Sequence, residues 1–199
     1  MTTATDTGLP DALAAMLNRH SLGPRWMVAP GPSDSQLHLA VRAALRAPNH
    51  GRLQPWRAVK VSAEQRPALA ALFEQFARDS GKSEEDVTIE RERAYNGPVL
   101  LAWVARIDTA VEKVPAHEQW ICVGGAFANF MNAVHIMGYG AKILSGRKCQ
   151  HPAIVRAFCA DGEQLVGFIC IGTATRQLEP REKDEVAGRL SNWTPRPAT

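Results

Sequence analysis

The chain has 199 residues, enough for one domain with one core. At 45% hydrophobic and 22% charged it is not a disordered chain. A net charge of +3 with no run of Lys or Arg argues against a nucleic-acid binder, although mild positive charge still favours anionic ligands such as a phosphate-bearing cofactor.

The N-terminus, Met1 to Pro10, is polar and has no apolar signal-peptide core; residues 1–9 are expected to be flexible. Residues 10 to 20 predict a helix with Leu13, Met16 and Leu17 on one side. Gly23, Pro24, Pro30, Gly31 and Pro32 then mark a loop. Ser33 or Ser35 caps a second helix to about Ala47, with Leu37, Val41, Ala44 and Leu45 recurring at three and four, and Pro48 ends it. Residues 56 to 62 alternate like a strand. A helix from Glu64 to Asp79 carries the stripe Leu69, Leu72, Phe73 and Phe76, and Ser83 opens another through about Tyr95. Pro98 to Ile107 is continuously apolar, which predicts a buried strand.

From Gln119 to Ala141 there is no Asp, Glu, Lys or Arg, a length that spans a bilayer. Asn129, Asn132, His135 and the Gly124-Gly125 pair point instead to a buried central helix. Burying every face of one helix is hard in a chain this short, so a second subunit is expected. Lys142 to Ser145 predicts a short strand, residues 152 to 159 a helix with Pro152 in its first turn, and Leu165 to Ile171 another strand. The tail, residues 174–199, is polar and Pro-rich, with one candidate helix around Lys183 to Leu190. It cannot build its own core, so it is either disordered or laid along another surface, such as a partner subunit. The order of elements predicts an α+β fold without regular βαβ alternation.

Several catalytic patterns are missing: there is no P-loop and no H-E-x-x-H. Gly138-Tyr139-Gly140 follows a helix, whereas a dinucleotide fingerprint follows a strand, so it reads as helix termination. Cys122, Cys149, Cys159 and Cys170 form no C-x-x-C pair; Cys122 and Cys170 sit in apolar runs as buried thiols, which suits a reducing, cytoplasmic setting. Cys149-Gln150-His151 lacks further ligands at metal spacing, so no metal is expected.

Two polar clusters remain. Arg19-His20-Ser21 ends the first helix and makes a compact anion site, although basic residues at a helix C-terminus also serve the dipole. Arg46-Ala47-Pro48-Asn49-His50, followed by Gln54-Pro55-Trp56, crowds polar side chains where a helix hands over to a strand. Pro48 and Asn49 are ordinary turn residues, but Gln54 precedes a proline and is expected to be extended, presenting its amide in a fixed direction.

These clusters resemble the nitroreductase family, in which an R-[RH]-S motif ends the first helix and A-P-[SDN] with Q-P-W leads into the first strand. The likeness is closest to a short branch of NAD(P)H nitroreductases. It continues through Pro115-Ala116-His117-Glu118-Gln119, Gly138-Tyr139-Gly140, Ser145-Gly146, Val166-Gly167-Phe168 and Ile171-Gly172-Thr173, in order from about residue 11 to 173. The resemblance implies a single domain over 1–199: a central mixed sheet flanked by helices, in an intertwined homodimer with a long buried interface helix.

It further implies FMN bound between subunits, with NAD(P)H as electron donor and a nitroaromatic, quinone or related small acceptor in a ping-pong reaction. Arg19, His20 and Ser21 would contact the FMN phosphate and neighbouring oxygens. Arg46 and His50 would complete that cradle, with His50 reaching the flavin of the other subunit, and Gln54 would meet the polar edge of the ring. Ile143, Leu144 and Ser145 would pass beside the ring. Ala133, Val134, His135, Ile136, Met137 and Gly138 would lie near the nicotinamide. In the tail, Arg181 would close on the phosphate and Trp193 would dock on the partner. The flavin brings its own redox chemistry, so the missing catalytic signatures are expected. One departure stands out: the family often has Arg or Lys two residues after the motif Ser, and here that position is Gly23, with Arg25 the nearest base. Two alternatives go with it: a flavin-binding carrier or regulatory dimer without NAD(P)H turnover, and a flavin dehydrogenase for a dedicated metabolite.

Overall fold

The computed structural model describes residues 10–176 and 188–195. Helix α1 (Asp11–Asn18) leads through a loop into a two-residue strand β1 (Met27–Val28). Helix α2 (Asp34–Ala44) starts at Ser33, whose hydroxyl accepts the Gln36 N–H while the Gln36 side chain accepts the Ser33 N–H. This reciprocal cap satisfies two backbone donors that the first helical turn leaves open. Strand β2 (Trp56–Val61), helices α3 (Arg66–Asp79) and α4 (Glu84–Glu92), and strand β3 (Val99–Arg106) follow. The long helix α5 (Ala116–Ile136), strand β4 (Tyr139–Leu144), helix α6 (Pro152–Phe158) and strand β5 (Glu163–Ala174) complete the described fold.

Every strand pairing among the described residues is antiparallel, where a mixed sheet was expected. Strand β5 is central. Ile171 pairs with Val99 of β3 and with Ala141 of β4, so these strands occupy its two edges. Strands β3 and β4 therefore run parallel without touching, and α5 joins them as the crossover of a split βαβ unit. The parallel relation implied by that crossover is real, but β5 inserted between the two strands removes the parallel pairing. Strand β1 was not expected at all, because its loop is rich in Gly and Pro; it pairs only Met27 with Ala174 and Val28 with Thr173.

The continuous apolar run of β3 is explained by burial on both faces. Leu101, Trp103 and Ala105 pack with α2 and α5, while Leu100, Ala102 and Val104 pack with α3 and α6. Within the chain, helix α5 is buried on one side only. Cys122, Val123, Ala126, Phe130, Met131 and Val134 are buried, but Trp120, Ile121 and Ile136 are 40%, 61% and 53% exposed, with Gly124 and Ala128 exposed between them. Among the described residues no further element covers that face. No helix of the described residues is long and apolar enough to cross a membrane.

Candidate functional site

Segment 19–22 is drawn onto the start of β4. The Leu22 N–H donates to the Ala141 carbonyl at 3.1 Å, and Leu22 lies over Gly140, where a Cβ would come within 2.5 Å of the leucine Cδ2. Close approach of backbone to side chain is the reason for glycine there. Ser21 thereby faces the outgoing end of β4, and it lines one cleft with Ile143, Leu144 and Ser145. These four predicted residues are brought together. Gly146, with φ 112°, turns the chain sharply after Ser145 in a conformation that favours glycine.

The cleft measures about 1060 Å³. Its other walls hold Arg25, Trp26, Lys142 and Arg176, together with Arg93 and Lys148. Sequence reading noted Arg25 only as the base nearest to Gly23 and missed the others. They are scattered along the chain, so no linear motif announces them. Arg93 and Lys148 are anchored from behind by Glu90, a carboxylate only 1% exposed that also accepts from Lys82 at 2.9 Å. Burial alone would raise the Glu90 carboxyl, but hydrogen bonds from Lys148 and Lys82 outweigh it and hold it below the usual range. Burial pushes the Lys148 ammonium down against the pull of Glu90.

Arg19 and His20 lie beside the C-terminal end of α5. Burial, and then the neighbouring Arg19 and His20, hold the His135 imidazole below its ordinary range. Of the segment 133–138, Val134 is fully buried, and Ala133 and Met137 pack on the core. Only His135, Ile136 and Gly138 remain to offer side-chain or backbone groups outward.

The second cluster runs along the first half of the same helix and reaches its start at His50. His50 Nδ1 and Glu118 Oε2 are 2.7 Å apart, near the helix start. The seventeen steps from residue 118 to residue 135 span about 25 Å of helix, so one chain does not bring His50 to the Arg19–His135 end. The Arg46 end of the cluster lies nearer the helix middle, where Ala47 and Pro48 pack on Gly125 and the Ala43 carbonyl accepts from Asn129. Arg46 and His50 are both exposed. Gln54 departs from its expected extended form. Its φ is 48°, in a loop where Gly51 and Arg52 also have φ of 68° and 57°. The Asn49 Oδ1 accepts the Gln54 N–H at 3.3 Å, and the Trp56 N–H reaches back to the Gln54 carbonyl at 2.7 Å. These contacts close a tight turn round Pro55 and override the local preference of a residue before proline. Left-handed non-glycine residues cost free energy and cluster where a site demands them.

Arg181 lies outside the described residues, as does most of the candidate tail helix. Trp193 is described and is 85% exposed. Cys149 is buried, which pushes its thiol up to about 11, and His151 Nε2 is 3.0 Å from Asp79 Oδ2. Cys122 and Cys170 are free, buried thiols, the latter pushed up to about 12.

The nitroreductase family model matches residues 18–173. The chain belongs to the nitroreductase family. It is 31% identical over 164 residues to the Escherichia coli K12 protein named "Putative NAD(P)H nitroreductase YdjA", covering 82% of this chain and 88% of that protein. A relative from Haemophilus influenzae named as a nitroreductase of the same kind is 29% identical over 170 residues, covering 85% and 91%. Among solved structures, a nitroreductase-like family protein from Bacillus cereus superposes with a TM-score of 0.77 at 18% identity, covering 95% of this chain and 99% of that one. Nitroreductase A from Vibrio parahaemolyticus gives 0.71 at 13% identity, covering 96% and 79%. Membership places this chain among the oxidoreductases, and the structural neighbours share its fold.

Proposed function

We propose that this protein is an FMN-dependent homodimer that uses NAD(P)H to reduce small acceptors such as nitroaromatics or quinones. The observation that carries the reading is the cleft in which Ser21 meets Ile143, Leu144 and Ser145. Its donor set suits the cofactor. A hydroxyl and several cations match a phosphate and a polar ring edge, and Ile143 and Leu144 supply an apolar wall. FMN, when bound, supplies the hydride chemistry.

The chain's own groups bind and orient. Ser21 and Arg19 grip the phosphate end, with His20 beside them. Ile143 to Ser145 align the ring and offer backbone groups to it. Glu90 holds Arg93 and Lys148 in place on the wall, where their charge favours an electron-rich ring. His135 and Ile136 border the approach of the nicotinamide.

The same geometry supports the dimer. The exposed stripe of α5 runs through Trp120, Ile121, Gly124 and Ala128. The two small residues flank the helix midpoint and permit close approach. A two-fold axis there sets two copies of α5 antiparallel. The Arg46–His50 end of one subunit then faces the Arg19–His135 end of the other, so both clusters serve one site. Gln54, on the same loop, reaches that site from the partner as well. The exposed α1 residues Leu13, Met16 and Leu17 and the tail residue Trp193 supply further surface for the partner.

The test is to purify the protein, record its flavin absorption, and add NADH or NADPH without oxygen. Bleaching of bound FMN supports the reading. A protein that takes up no FMN overturns it, and one that binds FMN without bleaching is a flavin carrier instead.

A further inference from the structure

Among the described residues, the cleft holds more positive charge than its own walls neutralise. Arg93 and Lys148 are tied to Glu90. Among the described residues, no carboxylate lies within ion-pair distance of Arg25, Lys142 or Arg176, and Glu92 is the carboxylate on the cleft wall. Arg25 and Arg176 are also placed. Their guanidinium carbons lie 5.3 and 5.5 Å from the ring centroid of Trp26, a distance at which an indole holds a cation. Trp26 is anchored in turn. Its N–H donates to the Gly23 carbonyl at 2.9 Å, and its own carbonyl accepts the Thr175 N–H at 2.9 Å and the Thr175 hydroxyl at 3.2 Å. The segment after Ser21 and the end of β5 are thus fastened together, and each contributes one planar fork.

We propose that Arg25, Arg176 and Lys142 form a site for a phosphate monoester, and that the phosphate it takes is the 2′-phosphate of NADPH, so that NADPH is preferred over NADH. The inference rests on the reading of the cleft as the FMN and NAD(P)H site. A phosphate monoester carries about −1.5 to −2 charge at neutral pH and three acceptor oxygens. Two guanidinium forks and an ammonium match that dianion in charge and in donor geometry. The other source of the same chemistry is the 5′-phosphate of FMN. Position favours the second substrate. Arg25 and Arg176 are exposed, whereas Ile143 and Leu144 are half-buried. A ligand that arrives and leaves in each turnover meets cations at the mouth, while a resident cofactor is gripped further in.

The experiment compares wild type with the Arg25→Ala/Arg176→Ala double variant and with Lys142→Gln. Three quantities are measured: the kcat/KM ratio for NADPH over NADH, the affinities for FMN and for riboflavin, and calorimetric binding of adenosine 2′,5′-bisphosphate against adenosine 5′-monophosphate. The wild type is expected to favour NADPH and the bisphosphate. The double variant should lower both preferences by about tenfold or more, the loss of one or more charged hydrogen bonds, with a smaller drop for Lys142→Gln. If FMN affinity falls while riboflavin affinity and the NADPH preference stay, the phosphate is the cofactor's and the assignment to NADPH is overturned. If none of the quantities moves, the site itself is overturned. A wild type that binds no FMN refutes the proposed function instead, and the calorimetric comparison still decides the phosphate site.

Discussion

The Leu22 N–H bonds to the Ala141 carbonyl at 3.1 Å, and this single contact ties the R-H-S segment to the strand that supplies Ile143, Leu144 and Ser145. The leucine side chain sits where a β-carbon on Gly140 would be.

Gly140→Ala is therefore expected to push Leu22 outward and carry Ser21 with it. Overpacking of this kind costs about 1–3 kcal/mol. FMN affinity should fall together with the melting temperature, measured by flavin titration and thermal unfolding. A variant with native FMN affinity would show that Ser21 is placed by something else.

Arg19→Ala and His50→Ala are each expected to weaken FMN binding. Arg19 should cost more, about 1.5–3 kcal/mol, because it meets a charged phosphate. Fluorescence titration of FMN reads both. Unchanged affinity in both variants refutes the placement of the cradle.

Ile121 is 61% exposed on the open stripe of α5. Ile121→Asp should shift the protein from dimer to monomer in analytical ultracentrifugation. Because the proposed site takes Arg46 and His50 from the partner, FMN binding should be lost with the dimer. A monomer that keeps full FMN affinity contradicts the shared site.

Glu163 accepts two hydrogen bonds from Arg57, at 2.8 and 2.5 Å, and these hold its carboxyl down at about 2 from the ordinary 4.5. Its folded value lies below its unfolded one, so the contribution is fully present above pH 4.5 and is lost as pH falls towards 2. Arg57 is 44% exposed, which limits the contribution to about 1 kcal/mol. Glu163→Gln should lower stability at pH 7 and flatten its dependence on acid between those values, read by denaturant unfolding across pH.

Glu90 is buried with Lys148 and also holds Lys82 and Arg93. Glu90→Ala leaves buried positive charge without a partner and should cost about 3–5 kcal/mol, seen as a large drop in the unfolding midpoint. A loss well below that range would show that water reaches Lys148.

Much of the fold was legible in local pattern. The double-sided apolar run of β3, the capped starts of α2 and α4 and the apolar stripe of α3 follow from periods of two and 3.6 and from capping chemistry, which depend on neighbours in sequence. The short strand β1 and the displaced conformation of Gln54 were not legible. A two-residue strand is created by its partner across the sheet, and a left-handed residue before proline is imposed by contacts to Asn49 and Trp56.

The candidate site divides in the same way. The R-H-S and A-P-N-H clusters declare themselves as runs of adjacent polar residues, and they carry the family and the kind of ligand. That the R-H-S segment and His50 lie at opposite ends of α5, and that Arg25, Arg93, Lys142, Lys148 and Arg176 converge on one cleft, is decided by the folding of the chain around α5 and of β4 and β5 against the loop after α1. Convergence of residues distant in sequence has no period and no motif. It exists only once the hydrogen bonds of the sheet and the packing of Leu22 on Gly140 have brought those segments together.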